Sequence, residues 1–336
     1  MAVTGAASGL GRALVERLAT RDDLAGLFGI DTVGGRVDGV LWRLVDVRDA
    51  QLPSRLAGCT TIVHLATSYD VTLPAASRRA LNVPGTAMVL KAARQIGARV
   101  VLCTSSEVYG ARADNPIPLA DAAPLRETGD TDTLASDHEE VERLASRARA
   151  DGVDVTVLRP ATMVGLSPAY DGQVLRQLSS PRLLAIRGVE PLWQLCHVDD
   201  LISALELVIT RPLRGSMAVA SPGSIPQSVV EEVTGRRRME VSASVAFSTA
   251  ERLRRAGVTD SSPRELDHLL GPLVMACDGL TAAGWHARWS NEDAIRQHVA
   301  ARAADSRVPA YTAAGATVAL LGTAALVRQA RRRRRR

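Results

Sequence analysis

The stretch Thr4 to Gly11, TGAASGLG, limits what this chain can fold into more than any other segment. A short apolar run, Met1 to Val3, leads into it, and Leu10, Leu14, Val15 and Leu18 lead out at helical spacing. The segment therefore reads as strand, tight turn and helix N-terminus. Gly5 suits the turn, while Gly9 and Gly11 take away side chains that would hold a diphosphate off the backbone or the helix off its strand. The first amides of that helix lack intrahelical partners and favour an anion, with Ser8 and Leu10 as part of the same cradle. A glycine triplet alone fits an ordinary turn. Here a second apolar run, Leu27 to Ile30, ends at Asp31, about 20 residues past the last glycine, where a carboxylate accepts from adenosine ribose hydroxyls. The combination predicts dinucleotide binding. It favours NAD over NADP, because Asp31 would repel a 2′-phosphate; Arg36, beyond Gly34 and Gly35, is the nearest cation that could offset it.

The same alternation of apolar runs and helical periods continues. Val40 to Val45 is a third strand closing on Asp46, placed either for an adenine contact or as a strand-end turn residue. Thr61 to Leu65 is a fourth, running into Ala66 and Thr67, small enough to let a dinucleotide pass over the strand end; His64 reads as a packed or surface residue rather than a ligand. A long helix spans Ala75 to Ile96 and stops at Gly97. Val100 to Cys103 is a fifth strand ending in the hydroxyl-rich TSSEVYG, and Ala111 to Thr133 reads as loop. Asp137 to Ala150 is a charged helix and Val153 to Leu158 a sixth strand. Repeated β-α-β units argue for an α/β, Rossmann-type doubly wound parallel sheet of order 3-2-1-4-5-6, with binding sites at the carboxyl ends of its strands.

Past Gly165 the rhythm loosens into a smaller C-terminal α/β substrate lobe. Leu192 to Cys196 is apolar, a helix opens at His197 with Asp199 or Asp200 as N-cap, Met217 to Ala220 is a short strand, and Ser224 to Thr234 is a helix. Arg236 to Asp278 gives no clear pattern, and Leu280 to Arg302 ends the folded part. The expected division is a dinucleotide-binding domain at 1–165, a substrate lobe at 166–305 interleaved with its sheet, and an apolar and poly-arginine tail at 306–336.

At 336 residues and 46% hydrophobic content the chain can bury a full core. Its net charge of +5 does not argue for nucleic acid, because Arg328 and Arg331 to Arg336 supply seven positive charges and leave −2 on the rest. Four scattered cysteines suggest neither a metal site nor a disulfide framework, and reduced thiols fit a cytoplasmic protein. No leader precedes the first strand, which is short enough to suggest a start assigned too far downstream. The stretch Ala310 to Val327 is marginal for crossing a bilayer. Contact with an anionic membrane surface at the inner face, self-association through Gly315, Ala319 and Thr323, and a disordered basic tail are the alternatives.

Taken together, TGAASGLG, Asp31, Asp46-Val47, VHLAT at Val63, NVPGT at Asn82, TSSEVYG at Thr104, LRPATMVG at Leu158, HVDDL at His197 and AAGW at Ala282 resemble the extended short-chain dehydrogenase/reductases of the NAD-dependent epimerase/dehydratase family, over about residues 1 to 300. The resemblance implies that Gly5, Gly9, Gly11 and Asp31 hold the cofactor, that Asp46 and Val47 lie by the adenine, and that Asn82 is structural. It further implies that Ser105 polarises a substrate carbonyl and that members pair through their two long helices into homodimers. Two departures stand out. Ser8 occupies the second glycine position of the extended pattern, and the catalytic YxxxK is absent: Leu134 stands at the tyrosine position and His138 at the lysine position. Lys91 is the only lysine, and none of Tyr69, Tyr109, Tyr170 and Tyr311 is followed by a lysine four residues later. His138, on an acidic helix, is expected at the surface, and Tyr109 in a packing role. Three readings of function follow: an enzyme acting on a nucleotide sugar or a sterol-like alcohol through a rebuilt proton relay, a non-catalytic dinucleotide-binding sensor or scaffold, or, from the tail alone, a structural membrane-surface protein.

Overall fold

In the computed structural model, residues 1–304 are described except 72, 127–130, 168–170 and 259–261. The expectations for the tail, including the 310–327 stretch, lie outside the described residues. Seven strands form one parallel sheet: β1 (Ala2–Thr4), β2 (Leu27–Asp31), β3 (Val40–Leu44), β4 (Thr61–His64), β5 (Arg99–Cys103), β6 (Val155–Pro160) and, arriving from far along the chain, Gly215–Val219. From that late strand inward the order is 6-5-4-1-2-3, the expected series with one strand added beyond β6. Between them run α1 (Gly9–Leu18), α2 (Leu52–Arg55), α3 (Ala75–Ile96) and α4 (Leu134–Ala150). The later part carries β7 (Thr162–Val164), α5 (Gln173–Arg176), β8 (Leu183–Ile186), β9 (Leu192–Trp193), β10 (Leu195–His197) and α6 (Val198–Thr210) before the seventh sheet strand, which is β11. Beyond it come β12 (Ile225–Pro226), α7 (Gln227–Thr234), β13 (Arg238–Val241), α8 (Ala243–Arg255), α9 (Asp278–Ala282) and α10 (Asn291–Ala304).

Successive strand residues point to opposite faces, and the core divides accordingly. Val3, Val63 and Val101 pack with Leu14 and Val15 of α1 and with Leu201 and Leu205 of α6. Their neighbours Ala2, Ile62, Val100 and Leu102 pack with Val89 and Ala92 of α3 and with Val141 and Ala145 of α4. Strands buried on both sides account for the near-continuous apolar runs in the sequence. β1 lies between β2 and β4, with Val3 opposite Gly29 and Val63, so all three carboxyl ends open at the same edge. His64 is packed, as one of the two alternatives held: its Nδ1 meets Thr4 Oγ1 at 2.7 Å and its Nε2 meets Thr86 Oγ1 at 3.1 Å.

Three expectations are corrected. α4 begins at Leu134, three residues early, because the Thr133 hydroxyl accepts from the Ser136 amide and caps it. α6 is capped by His197, whose Nδ1 accepts from the Asp199 amide at 3.2 Å. Asp200 instead accepts from the Arg288 and Trp289 amides and fixes the segment after Trp285. The unpatterned stretch 236–278 holds β13 and α8 against β8, around Leu184, Ile186, Val241, Ala246 and Leu269. Among the described residues no helix is long and apolar enough to cross a membrane.

Candidate active site

The turn after β1 is tight because two backbones meet there. Gly5 has φ +67°, and a Cβ on it would lie 2.6 Å from the Leu65 carbonyl oxygen. A Cβ on Gly11 would lie 2.0 Å from the Gly5 carbonyl oxygen, so α1 sits directly on the turn and its first amides face the strand ends. In front of them runs a groove with about 1210 Å³ of atom-free space. Gly5, Ser8 and Leu10 form one end and Asp31, Asp46 and Val47 the side; Leu65, Ala66 and Thr67 form the floor. Gly9 and Gly11 shape the turn without lining the groove. Asp31 accepts from the Ala7 amide at 3.0 Å and the Thr32 amide at 2.7 Å, which ties the carboxylate to the glycine turn. Arg36 does not line the groove. Arg48 does, and it is committed to Asp46, with contacts of 2.9 and 2.6 Å that hold the Asp46 carboxyl below its usual range.

The groove continues past Thr67 and Tyr69 into a smaller pocket at the end of β5, where the sequence-predicted Ser105, Leu134 and His138 come together. Ser105 lies two residues past β5 and caps the turn Ser106–Tyr109, its Oγ accepting from the Glu107 amide at 3.2 Å. Behind it, Thr104 donates to Glu142 at 2.9 Å; Glu142 takes two bonds from Arg159, at 2.8 and 2.9 Å, and Arg159 donates to the Tyr109 hydroxyl at 2.7 Å. Tyr109 is thus a packing residue, as expected, with its phenol turned away from the pocket into a buried network.

His138 is not at the surface: it is 1% exposed. The acidic composition of α4 misleads because its charges are paired inside the protein. Asp137 binds Arg78 at 2.9 Å, Glu139 binds Arg126 at 2.7 Å and Glu142 binds Arg159, which turns the His138 face inward. Burial, aided by the charge of Arg78, pushes the imidazole down to about 3. Both ring nitrogens are buried without a partner among the described residues, and so is Thr67 Oγ1. Buried polar atoms are rarely left so. Three orphaned atoms on the path from the glycine turn to Ser105 fit the polyhydroxylated end of a nicotinamide dinucleotide.

Two lining residues escape the sequence reading. Tyr69 lies at the junction of groove and pocket, its ring 5.6 Å from that of His138. Glu107 is half-buried in the Ser105 pocket, and burial raises its carboxyl, partly countered by Arg126. Its only sequence signal is its place two residues after Ser105 in a turn at a strand end. Among the described residues no cluster of three metal-ligating side chains occurs.

The chain is similar to an uncharacterized protein of Mycobacterium tuberculosis, 27% identical over 319 residues covering 89% of this chain and 83% of that one. It is also similar to sterol demethylase protein B of Methylococcus capsulatus, 29% identical over 263 residues, 70% and 75% of the two chains. The fold matches a dTDP-glucose 4,6-dehydratase from Bacillus anthracis solved in complex with NAD, with a TM-score of 0.66 at 14% identity over 91% and 96% of the chains. The family model for the NAD dependent epimerase/dehydratase family matches residues 1–219. That match covers well over half of the sequence, and the chain belongs to the NAD-dependent epimerase/dehydratase family.

Proposed function

We propose that this protein is an NAD-dependent oxidoreductase-type member of its family that acts on an alcohol or ketone without the tyrosine and lysine pair. The observation that carries this is the meeting of Leu134 and His138 with Ser105 in one pocket. Leu134 has no proton to give, and an imidazole held near 3 is a weak base. Bound NAD would supply the hydride acceptor. The residues then divide the remaining work. The Ser105 hydroxyl, positioned by the Glu107 amide, donates to the substrate oxygen. Neutral His138 and Thr67 offer their unpartnered atoms to ribose hydroxyls. Glu107, with a carboxyl raised by burial, exchanges the substrate proton; a raised carboxyl suits general acid-base work near neutral pH.

The test is nicotinamide absorbance during turnover with a panel of secondary alcohols, ketones and nucleotide sugars. Glu107→Gln is expected to lower kcat by about 10²- to 10⁴-fold, while His138→Leu acts mainly on the KM for NAD. Oxidation in the wild type rises with pH through an inflection above the usual carboxylate range, because the deprotonated carboxylate is the active form. Turnover untouched by Glu107→Gln contradicts the assignment, and NAD binding with no turnover on any substrate returns the chain to the non-catalytic reading.

A further inference from the structure

A second cleft opens from the Ser105 pocket into the C-terminal lobe, with Glu107, Thr162 and Val174 lining both. Its atom-free space of about 680 Å³ includes the open mouth of the cleft. We infer that this cleft takes the body of an uncharged, largely apolar alcohol or ketone, and not the diphosphate of a nucleotide sugar. The inference rests on the reading above that Ser105 marks the reacting end.

The walls carry the argument. Leu184 of β8, Val189, Leu192 and Trp193 of β9, Leu269 and Leu273 face the space. The polar lining is mostly uncharged, with Ser106, Thr162 and three glutamines, and two of the glutamines are already engaged. Gln194 donates to the Ser221 and Met275 carbonyls, both at 3.0 Å, and accepts from the Met275 amide at 2.7 Å. Gln227 accepts from the Trp193 indole at 2.6 Å. What remains is the Gln227 Nε2 donor, the Gln177 Oε1 acceptor and His268 Nε2, all buried and unpartnered. These neutral groups suit a remote hydroxyl or carbonyl.

The ionisable groups point the same way. Two line the cleft among the described residues, Glu107 and His268. His268 Nδ1 meets the Glu265 carbonyl at 2.7 Å, and burial carries the ring down to about 4, so it is uncharged at neutral pH. Arg126 lies in an adjacent pocket, held by Glu139 at 2.7 Å and Asp267 at 3.6 Å. A diphosphate here would lose water, meet no cation in the described walls, and sit beside a carboxyl group. Buried charge without a partner is strongly disfavoured, whereas a hydrocarbon body gains from every methylene placed against these side chains.

The test is calorimetric titration of the full-length protein, with and without NADH, by a homologous series of secondary alkanols from hexanol to dodecanol, and separately by UDP and UDP-glucose. Affinity is expected to rise about fourfold per methylene until the cleft is full, with a negative heat-capacity change, while neither UDP nor UDP-glucose binds saturably. Leu192→Asp, at a half-buried wall position, is expected to flatten the chain-length series and leave NADH affinity unchanged. Leu192→Ala, the milder change, is expected to reduce it. Saturable UDP binding, or a wild-type series without chain-length dependence, overturns the inference. Failure of NADH to bind strikes the dinucleotide reading instead, and the alkanol arm run without NADH still decides the nature of the cleft.

Discussion

Replacing Gly11 by alanine is expected to abolish measurable NADH binding and to destabilise the protein by about 3 kcal/mol, the upper part of the usual range for overpacking. Two effects oppose each other at this position. Alanine is the better helix former by about 1 kcal/mol, so propensity alone predicts a stabilised α1. The added methyl, however, would lie 2.0 Å from the Gly5 carbonyl oxygen and 2.7 Å from its carbonyl carbon. Both are backbone atoms and no rotamer change can clear them, so the helix must lift off the turn. Its first amides then leave the groove they face. Gly26→Ala is the control, because a Cβ there meets nothing within 4 Å. Thermal unfolding and NADH titration of the two variants check the expectation; a Gly11→Ala protein with wild-type affinity would mean that the turn and helix are not packed in this way.

The second large effect is expected at Glu142. Its carboxylate is 4% exposed and is the partner of an Arg159 that is 6% exposed. A buried pair of this kind adds little relative to an apolar substitute, but removing one member leaves the other charge uncompensated, at a cost of about 3 to 5 kcal/mol. Burial alone would lower the Arg159 guanidinium; the bonds and charge of Glu142 outweigh that and hold it raised. Glu142→Ala should therefore lose about that much stability in urea unfolding. It should also weaken Ser105-dependent chemistry, because Thr104 at the end of β5 loses its acceptor. A loss under about 1 kcal/mol would show that Arg159 finds another carboxylate or water.

What the sequence made legible is what local chemistry determines. The glycine turn, Asp31 and the long helix ending at Gly97, where φ is +71°, each follow from a few adjacent residues. The sheet order follows from repeated β-α-β connections. The position of β11 could not be read this way, since its place beside β6, with Gly215 opposite Thr156, depends on a strand some sixty residues earlier. His138 departs from the expected surface position because acidic residues on a helix ordinarily mark a solvent face, and here Asp137, Glu139 and Glu142 meet buried or nearly buried arginines supplied by distant segments. Leu134 and His138 could be located by counting from the family pattern, but their closeness to Tyr69 and Glu107 is a product of packing. The apolar cleft was invisible for the same reason: Leu184, Trp193 and Leu269 come from three segments without a shared period.

The central claim is that the groove between the glycine turn and His138 holds NAD. Side-by-side fluorescence titration of the wild-type protein with NADH and NADPH tests it most directly. If Asp31 meets the adenosine ribose as proposed, it would accept from free hydroxyls, and a hydrogen bond to a charged group is worth about 1.5 to 3 kcal/mol. The expected result is saturable binding of one NADH per chain, at least about tenfold tighter than NADPH, with the preference lost in Asp31→Ala. No saturable binding of either nucleotide, or tighter binding of NADPH, would contradict the account.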